Sequence, residues 1–253
     1  MGEYRTALVT GGAKRIGRAI VEDLARNGFA VAVHANRSTD EAEALVGSIR
    51  SDGGRAAFVR ADLTDVEQAE NLIARASEAL GPVDLLVNSA SLFKEDTAER
   101  FDAGTWDAHF AIHARAPVLL AQRFAAQADL GDNPLVVNIV DQRVWRLTPE
   151  FFSYTLSKST LWTATQTMAQ GLAPRIRVNA IGPGPAMASE HQSAEDFEAQ
   201  TARVPLERGP QADEFGRTIR YLYDCRSITG QMIALDGGQH LAWRTPDTVD
   251  VAG

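Results

Sequence analysis

The stretch Ala7-Leu-Val-Thr-Gly-Gly-Ala-Lys-Arg-Ile-Gly17 runs from a short apolar strand through a glycine-rich turn into a helix that starts near Arg15. Its glycines let the backbone turn sharply and approach a pyrophosphate, while the helix start offers free N–H groups and a positive dipole end. The spacing is not G-x-G-x-x-G, so strand, turn and helix must be read together. Outward from this stretch, apolar runs at 5–10, 30–35, 56–60, 84–88, 134–140, 176–180 and 231–235 alternate with helical ones. The helical stretches lie near 16–27, 40–50, 66–79, 105–128, 152–171 and 211–223. This alternation predicts one doubly wound α/β domain over residues 1–253, its seven-stranded parallel sheet covered on both faces.

A chain of 253 residues with 45% hydrophobic and 23% charged residues is ordinary for a soluble globular domain. No apolar run approaches the ~20 residues that cross a bilayer. The N-terminus has no basic start or cleavage site, and Cys225 is the only cysteine, so cytoplasm is the expected location. Met1-Gly-Glu-Tyr-Arg-Thr6 fits the loose N-myristoylation pattern but leads straight into the first strand, and is read as a chance match. The formal charge of −8 disfavours nucleic acid as a partner, yet Lys14, Arg15 and Arg37 can still hold phosphate locally. No metal and no membrane partner is expected.

Two stretches break the rhythm. Gly182-Pro-Gly-Pro185 opens a segment, about 183–210, that is too long for an ordinary connection. It follows a strand C-terminus, so it reads as a lid over a ligand or as a decorated surface loop. The polar tail from Gln239 to Gly253 either frays or packs on a partner subunit.

The second strand ends in Asn36-Arg37-Ser38, where an NAD-binding turn carries a carboxylate for the ribose hydroxyl. Arg37 can grip a 2′-phosphate through a bidentate fork and Ser38 can donate to it; Ser38 can also cap the helix that follows. NADP(H) is therefore the expected cofactor. Tyr154-Thr-Leu-Ser-Lys158 places a phenol and an ammonium on one helix face, with Asp141 thirteen residues before the tyrosine (154 − 141). A cation beside a phenol favours the phenolate, so Tyr154 can pass a proton. The chain reads as a dinucleotide-dependent reductase.

Thr10-Gly-Gly-Ala-Lys-Arg-Ile-Gly17 resembles the T-G-x-x-x-[GR]-[IL]-G turn of the short-chain dehydrogenase/reductase family, a resemblance that extends to Leu241. It implies a Rossmann-like fold, with Gly11, Lys14, Arg15 and Ile16 at the cofactor turn. Asp62-Leu63 matches the family's pair beside adenine, although Asp62 could also be a plain helix cap. Asn88-Ser-Ala-Ser91 is similar to the N-N-A-G element, so Asn88, Ser89 and Ala90 are carried over to the cofactor, as are Pro183 and Gly184. Ser89 and Ser91 depart from that element. Lys158 would bind the nicotinamide ribose. Most members place a serine where this chain has Asp141; a carboxylate there opposes a developing alkoxide but can help protonate the nitrogen of a C=N bond.

Asp141, Tyr154 and Lys158, taken as the catalytic set, resemble the pteridine and dihydromonapterin reductases. Their turn also carries a Lys-Arg pair, and Asn88-Ser-Ala-Ser-Leu-Phe93 is similar to their N-N-A-S-x-F. The C-terminal Leu235-Asp-Gly-Gly-Gln-His240 resembles that of the bacterial members. The resemblance implies an NADPH-dependent reductase of dihydrofolate, dihydromonapterin or dihydrobiopterin. Arg15, Ser91, Phe93, Asp141 and Tyr154 would face the pterin, unless Phe93 is core and Asp141 a structural cap. A carbonyl or 3-oxoacyl reductase and an NADP(H)-sensing regulator are the alternatives. His113 stands where the family has an Asn, either holding a water in a relay to Lys158 or merely packing. His109 is expected at the surface or an interface. A homotetramer is expected through 105–128 and 152–171, whose Trp106, Phe110, Leu119, Leu120, Leu161 and Trp162 exceed what one face needs.

Overall fold

The computed structural model describes residues 5–187 and 193–243. Met1 to Tyr4 of the acylation-like motif, a part of the 183–210 segment and the tail beyond Trp243 lie outside the described residues. The elements alternate as β1 (Arg5–Thr10), α1 (Arg15–Arg26), β2 (Phe29–Ala35), α2 (Thr39–Ser51), β3 (Ala56–Arg60), α3 (Val66–Leu80) and β4 (Leu85–Asn88). They continue as α4 (Ala103–Phe110), α5 (Ala116–Ala125), β5 (Leu135–Ile139), α6 (Phe152–Leu172), β6 (Arg177–Pro183), α7 (Ala194–Thr201), α8 (Ala212–Asp224) and β7 (Met232–Leu235). The strands form one parallel sheet in the order β3-β2-β1-β4-β5-β6-β7, a Rossmann-like fold.

Strand side chains alternate between faces. Ala7 and Val9 pack with Leu24, Ile49 and Phe215 of α1, α2 and α8, whereas Leu8 packs with Leu72, Phe124 and Ala169 of α3, α5 and α6. The order of strands reverses between β1 and β4, which opens a crevice at their C-terminal ends. Register sets Thr10 beside Asn88 and Asn88 beside Asn138, so the turns that follow these strands share one edge.

Three stretches differ from the sequence reading. β6 runs on to Pro183, because that residue still pairs with Leu235. The single helix expected over 105–128 is split: Pro117 has no N–H for the carbonyl of His113, and a π turn over Ala111–Arg115 intervenes, with the Ala116 N–H bonded to the Ala111 carbonyl. Within 183–210 the chain forms α7, capped by the Ser193 side chain on the Asp196 N–H. Leu120 and Leu161 are buried in the monomer core, leaving Trp106, Phe110, Leu119 and Trp162 only half-buried. No described helix is long and apolar enough to cross a membrane.

Candidate active site

The glycine-rich turn is shaped by close backbone approach. Gly11 has φ +64°, and a Cβ there would lie 2.8 Å from Ala90 Cα. A Cβ on Gly17 would lie 2.1 Å from the Gly11 carbonyl oxygen. Thr10 Oγ1 accepts the N–H groups of Ser89 and Ala90, each at 3.0 Å, tying β1 to the turn after β4. His34, in β2, holds the other side: its Nδ1 accepts the Gly11 N–H at 3.1 Å and its Nε2 faces the Ala61 carbonyl at 3.1 Å. Burial pulls the His34 pKa down to about 4, so the ring is neutral. Arg15 sits at φ +52°, where glycine is the easier residue, and its guanidinium donates to the Met187 carbonyl at 3.1 Å. Gly184 is equally constrained, since a Cβ would lie 2.6 Å from Asp236 Cα.

These features fit a dinucleotide: a cradle that any Cβ would fill, beside the N-terminus of α1, which has no side-chain cap. Arg37 is exposed at the end of β2, and its charge, with a hydrogen bond from Asn36, helps hold Asp62 below its ordinary pKa. The larger causes are the Thr64 hydroxyl and N–H, which donate to Asp62 Oδ1 at 2.7 and 2.9 Å. Asp62 therefore makes a local turn, and Asp65 is the cap of α3. Ser38 leads into α2 without a side-chain cap bond. Lys14 pairs with Glu41 at 2.7 Å. Ile16 packs against the core and Leu63 is buried in it. Pro183 ends β6. The Asn88 amide is buried and donates to Asn138, which donates to Thr165, each at 2.8 Å, so its side chain braces β4 against β5.

Asp141, Tyr154 and Lys158 come together, buried, beyond the end of β5. The Tyr154 hydroxyl donates to Asp141 Oδ2 at 2.9 Å. Asp141 Oδ1 accepts the Arg143 N–H at 2.8 Å, and the Arg143 guanidinium pairs with Oδ2 at 3.3 Å. The Lys158 ammonium donates to the Ile139 carbonyl at 2.8 Å and lies 5.7 Å from the Tyr154 ring centre. The expected phenolate is thus corrected. Burial and then the Asp141 charge push the Tyr154 pKa well above 10, and the phenol keeps its proton. Burial also pulls Lys158 down to about 8, against the pull of Asp141, so its charge is present below that pH and lost above it.

The expected surface position of His109 is corrected too: it is fully buried, with its ring stacked on that of His113 at 5.5 Å. Hydrogen-bond direction assigns both tautomers. The Ser153 hydroxyl donates to the Asp96 carboxylate, so His109 Nδ1–H donates to Ser153 at 2.7 Å. The Ser157 hydroxyl donates to the Tyr154 carbonyl at 2.7 Å, so His113 Nδ1–H donates to Ser157 at 2.9 Å. His113 Nε2 is then bare and accepts the Leu92 N–H at 3.1 Å; the Ser91 hydroxyl lies 3.0 Å from it. Burial, then Lys158 and His109, keep the His113 pKa well below its ordinary value. Neither ring nitrogen bonds Lys158.

Phe93 is 45% exposed, which removes the core reading. It stacks on Phe151 at 4.3 Å and meets Tyr154 edge-on at 4.9 Å, with the Arg143 guanidinium over both phenylalanine rings. The Asp96 carboxylate accepts the Ser153 N–H at the start of α6 and so pins the Ser91–Phe93 loop to the helix of Tyr154. Sequence reasoning missed His34, Asp96, Arg143, Phe151, Ser153 and Ser157. Only Ser157, at i+3 from Tyr154, had a spacing that could have marked it.

Comparison with known proteins follows this geometry. Residues 5–199 match the family model for short chain dehydrogenase. The crystal structure of FolM Alternative dihydrofolate reductase 1 from Brucella suis in complex with NADP is 58% identical, with a TM-score of 0.94 over 98% of this chain and 99% of that one. The Brucella canis protein complexed with NADP is 57% identical, with a TM-score of 0.94 over 99% and 98% of the two chains. An uncharacterized oxidoreductase of Methylorubrum extorquens is 32% identical over 93% of this chain and 98% of its own.

Proposed function

The chain belongs to the short-chain dehydrogenase family, and from that premise we propose that it is an NADPH-dependent reductase of the C=N bond of a pterin, with dihydrofolate, dihydromonapterin and dihydrobiopterin as candidate substrates. The observation that carries this reading is the Asp141–Tyr154 hydrogen bond of 2.9 Å, a carboxylate standing where carbonyl reduction wants a hydroxyl. Its support includes the 58% identity to an alternative dihydrofolate reductase crystallised with NADP.

NADPH, when bound, supplies the hydride. Gly11, Arg15 and Gly184 frame its pyrophosphate and nicotinamide ends, Arg37 and Ser38 hold its 2′-phosphate, and Lys158 takes the ribose hydroxyls. Tyr154 and Asp141 share one proton between them and deliver it to the ring nitrogen of the substrate. Arg143 keeps Asp141 oriented through its backbone N–H and guanidinium. Phe93, with Phe151 and Arg143 behind it, supplies the flat wall for a pterin, and Ser91 lies beside it. The described start of the 183–210 segment reaches the glycine-rich turn through the bond from Arg15 to the Met187 carbonyl, which supports the lid reading. NADPH oxidation with dihydrofolate and dihydrobiopterin tests the reading; no turnover of any pterin would sink it.

Arg37→Asp should shift preference from NADPH toward NADH. Losing a charge-assisted contact weakens NADPH by about tenfold or more, and the new carboxylate repels the phosphate. Fluorescence titration showing unchanged NADPH affinity would place the 2′-phosphate elsewhere.

The protein works in the cytoplasm as a single-domain homotetramer. Half-buried Trp106, Phe110, Leu119 and Trp162 and exposed Phe101 and Leu156 supply apolar surface on or beside the helices expected to pair. Light scattering that shows a stable monomer at micromolar concentration would remove this assembly.

A further inference from the structure

β2 lies between β1 and β3 in the sheet, so a side chain near its end can reach the turns that follow both neighbours. His34 does so. Two N–H groups of the glycine-rich turn end on it: Gly11 donates to the ring Nδ1 at 3.1 Å and Gly12 to the His34 carbonyl at 2.9 Å. On the other side the ring Nε2 lies 3.1 Å from the Ala61 carbonyl, which can only accept. Nε2 therefore carries the ring hydrogen and Nδ1 is bare, the one tautomer that satisfies both contacts. His34 is 2% exposed, so water cannot stand in for either partner. Ala61 leads directly into Asp62 and Leu63, the pair that the family resemblance puts beside adenine, and Gly11 belongs to the turn that meets the pyrophosphate.

We propose that His34 is a positioning residue for NADP(H): its imidazole ties the pyrophosphate turn to the adenine turn and holds both in the shape that the cofactor binds. This rests on the NADPH cofactor of the function proposed above and not on which substrate is reduced. His34 acts through the backbone of Gly11 and Ala61. Gly11 stands at φ +64°, in a region that glycine leaves as readily as it enters, so the bond to Nδ1 helps fix the direction of its peptide plane. Without that bond the turn spends part of its time in other shapes, and the apparent affinity for NADPH falls with the competent fraction. A second proton on the ring would set a donor against the Gly11 N–H; burial, the largest cause, resists it and leaves the ring neutral. A role in packing alone would need only the volume of the ring, which leucine roughly supplies.

The test is NADPH titration, followed by cofactor fluorescence, of the wild type and of His34→Leu, His34→Asn and His34→Gln. An asparagine amide reaches about as far as Nδ1 and can accept from Gly11, whereas a glutamine amide reaches about as far as Nε2 and can donate to Ala61. His34→Leu should raise the Kd for NADPH about tenfold to a hundredfold, the range that a buried polar group left unpaired produces. His34→Asn should recover most of that loss and His34→Gln much less, because the Gly11 bond is the one that shapes the pyrophosphate turn. With the best pterin, KM for NADPH should rise in the same order while kcat at saturating NADPH stays near that of the wild type. An unchanged Kd in His34→Leu, or glutamine rescuing better than asparagine, would overturn the proposal. Deuterium exchange in the cofactor-free protein needs neither cofactor nor turnover: the Gly11 amide should exchange faster in the leucine and glutamine variants than in the wild type and the asparagine variant. Equal exchange in all of them would also overturn it. If His34→Leu does not fold, the contrast between asparagine and glutamine still decides. Wild-type protein that binds no NADPH would sink the cofactor reading itself, and exchange at Gly11 would still decide whether His34 holds the turn.

Discussion

Tyr154→Phe should lower pterin turnover by about 10²–10⁴-fold, the usual contribution of a general acid–base group. NADPH binding should stay largely intact, because the hydroxyl faces Asp141 and not the glycine-rich turn. The ring itself is held by packing that phenylalanine preserves, with Phe93 at 4.9 Å and His113 at 5.2 Å, both edge-on. The loss should therefore appear in kcat, with the fold unchanged by circular dichroism. A variant within a few-fold of wild type on its best pterin would show that the proton comes from another group.

Asp141→Ser separates pterin chemistry from carbonyl chemistry. The change restores the general family's serine and removes the carboxylate that accepts from Tyr154. Pterin turnover should fall by about 10²–10⁴-fold. Activity on simple ketones should stay flat or rise, since an oxyanion would meet a hydroxyl donor in place of a negative charge. The Asp141 charge is the second cause, after burial, of the raised Tyr154 pKa, so the variant should also bring that pKa down. Equal pterin rates in variant and wild type would make Asp141 structural, a cap for the Arg143 N–H and no more.

The sequence by itself determined the sheet, the cofactor edge and the identity of the three central residues. Parallel strands buried on both faces must be continuous apolar runs, so β1 to β7 were legible to within a few residues, and the glycines of the first turn were legible because close backbone approach excludes every other residue. Only the tertiary structure decided the charge state and wiring of the site. Tyr154 and Lys158 are one helical turn apart, and that spacing alone predicts a phenolate. Burial of the phenol and a carboxylate from the end of β5 reverse the prediction, because desolvation and the Asp141 charge outweigh the opposing charge of Arg143. His109 looked like a surface or interface residue, and His113 like either a relay to Lys158 or a packing residue. Pairing with Ser153 and Ser157, across a separation of 44 residues in each case, buries both and assigns their tautomers. Asp96 and Arg143 gave no signal, since the α6 start that Asp96 caps and the rings that Arg143 covers are brought to them by chain folding. Local spacing reports on groups that share one element; the electrostatics of this site is set by groups that meet from several.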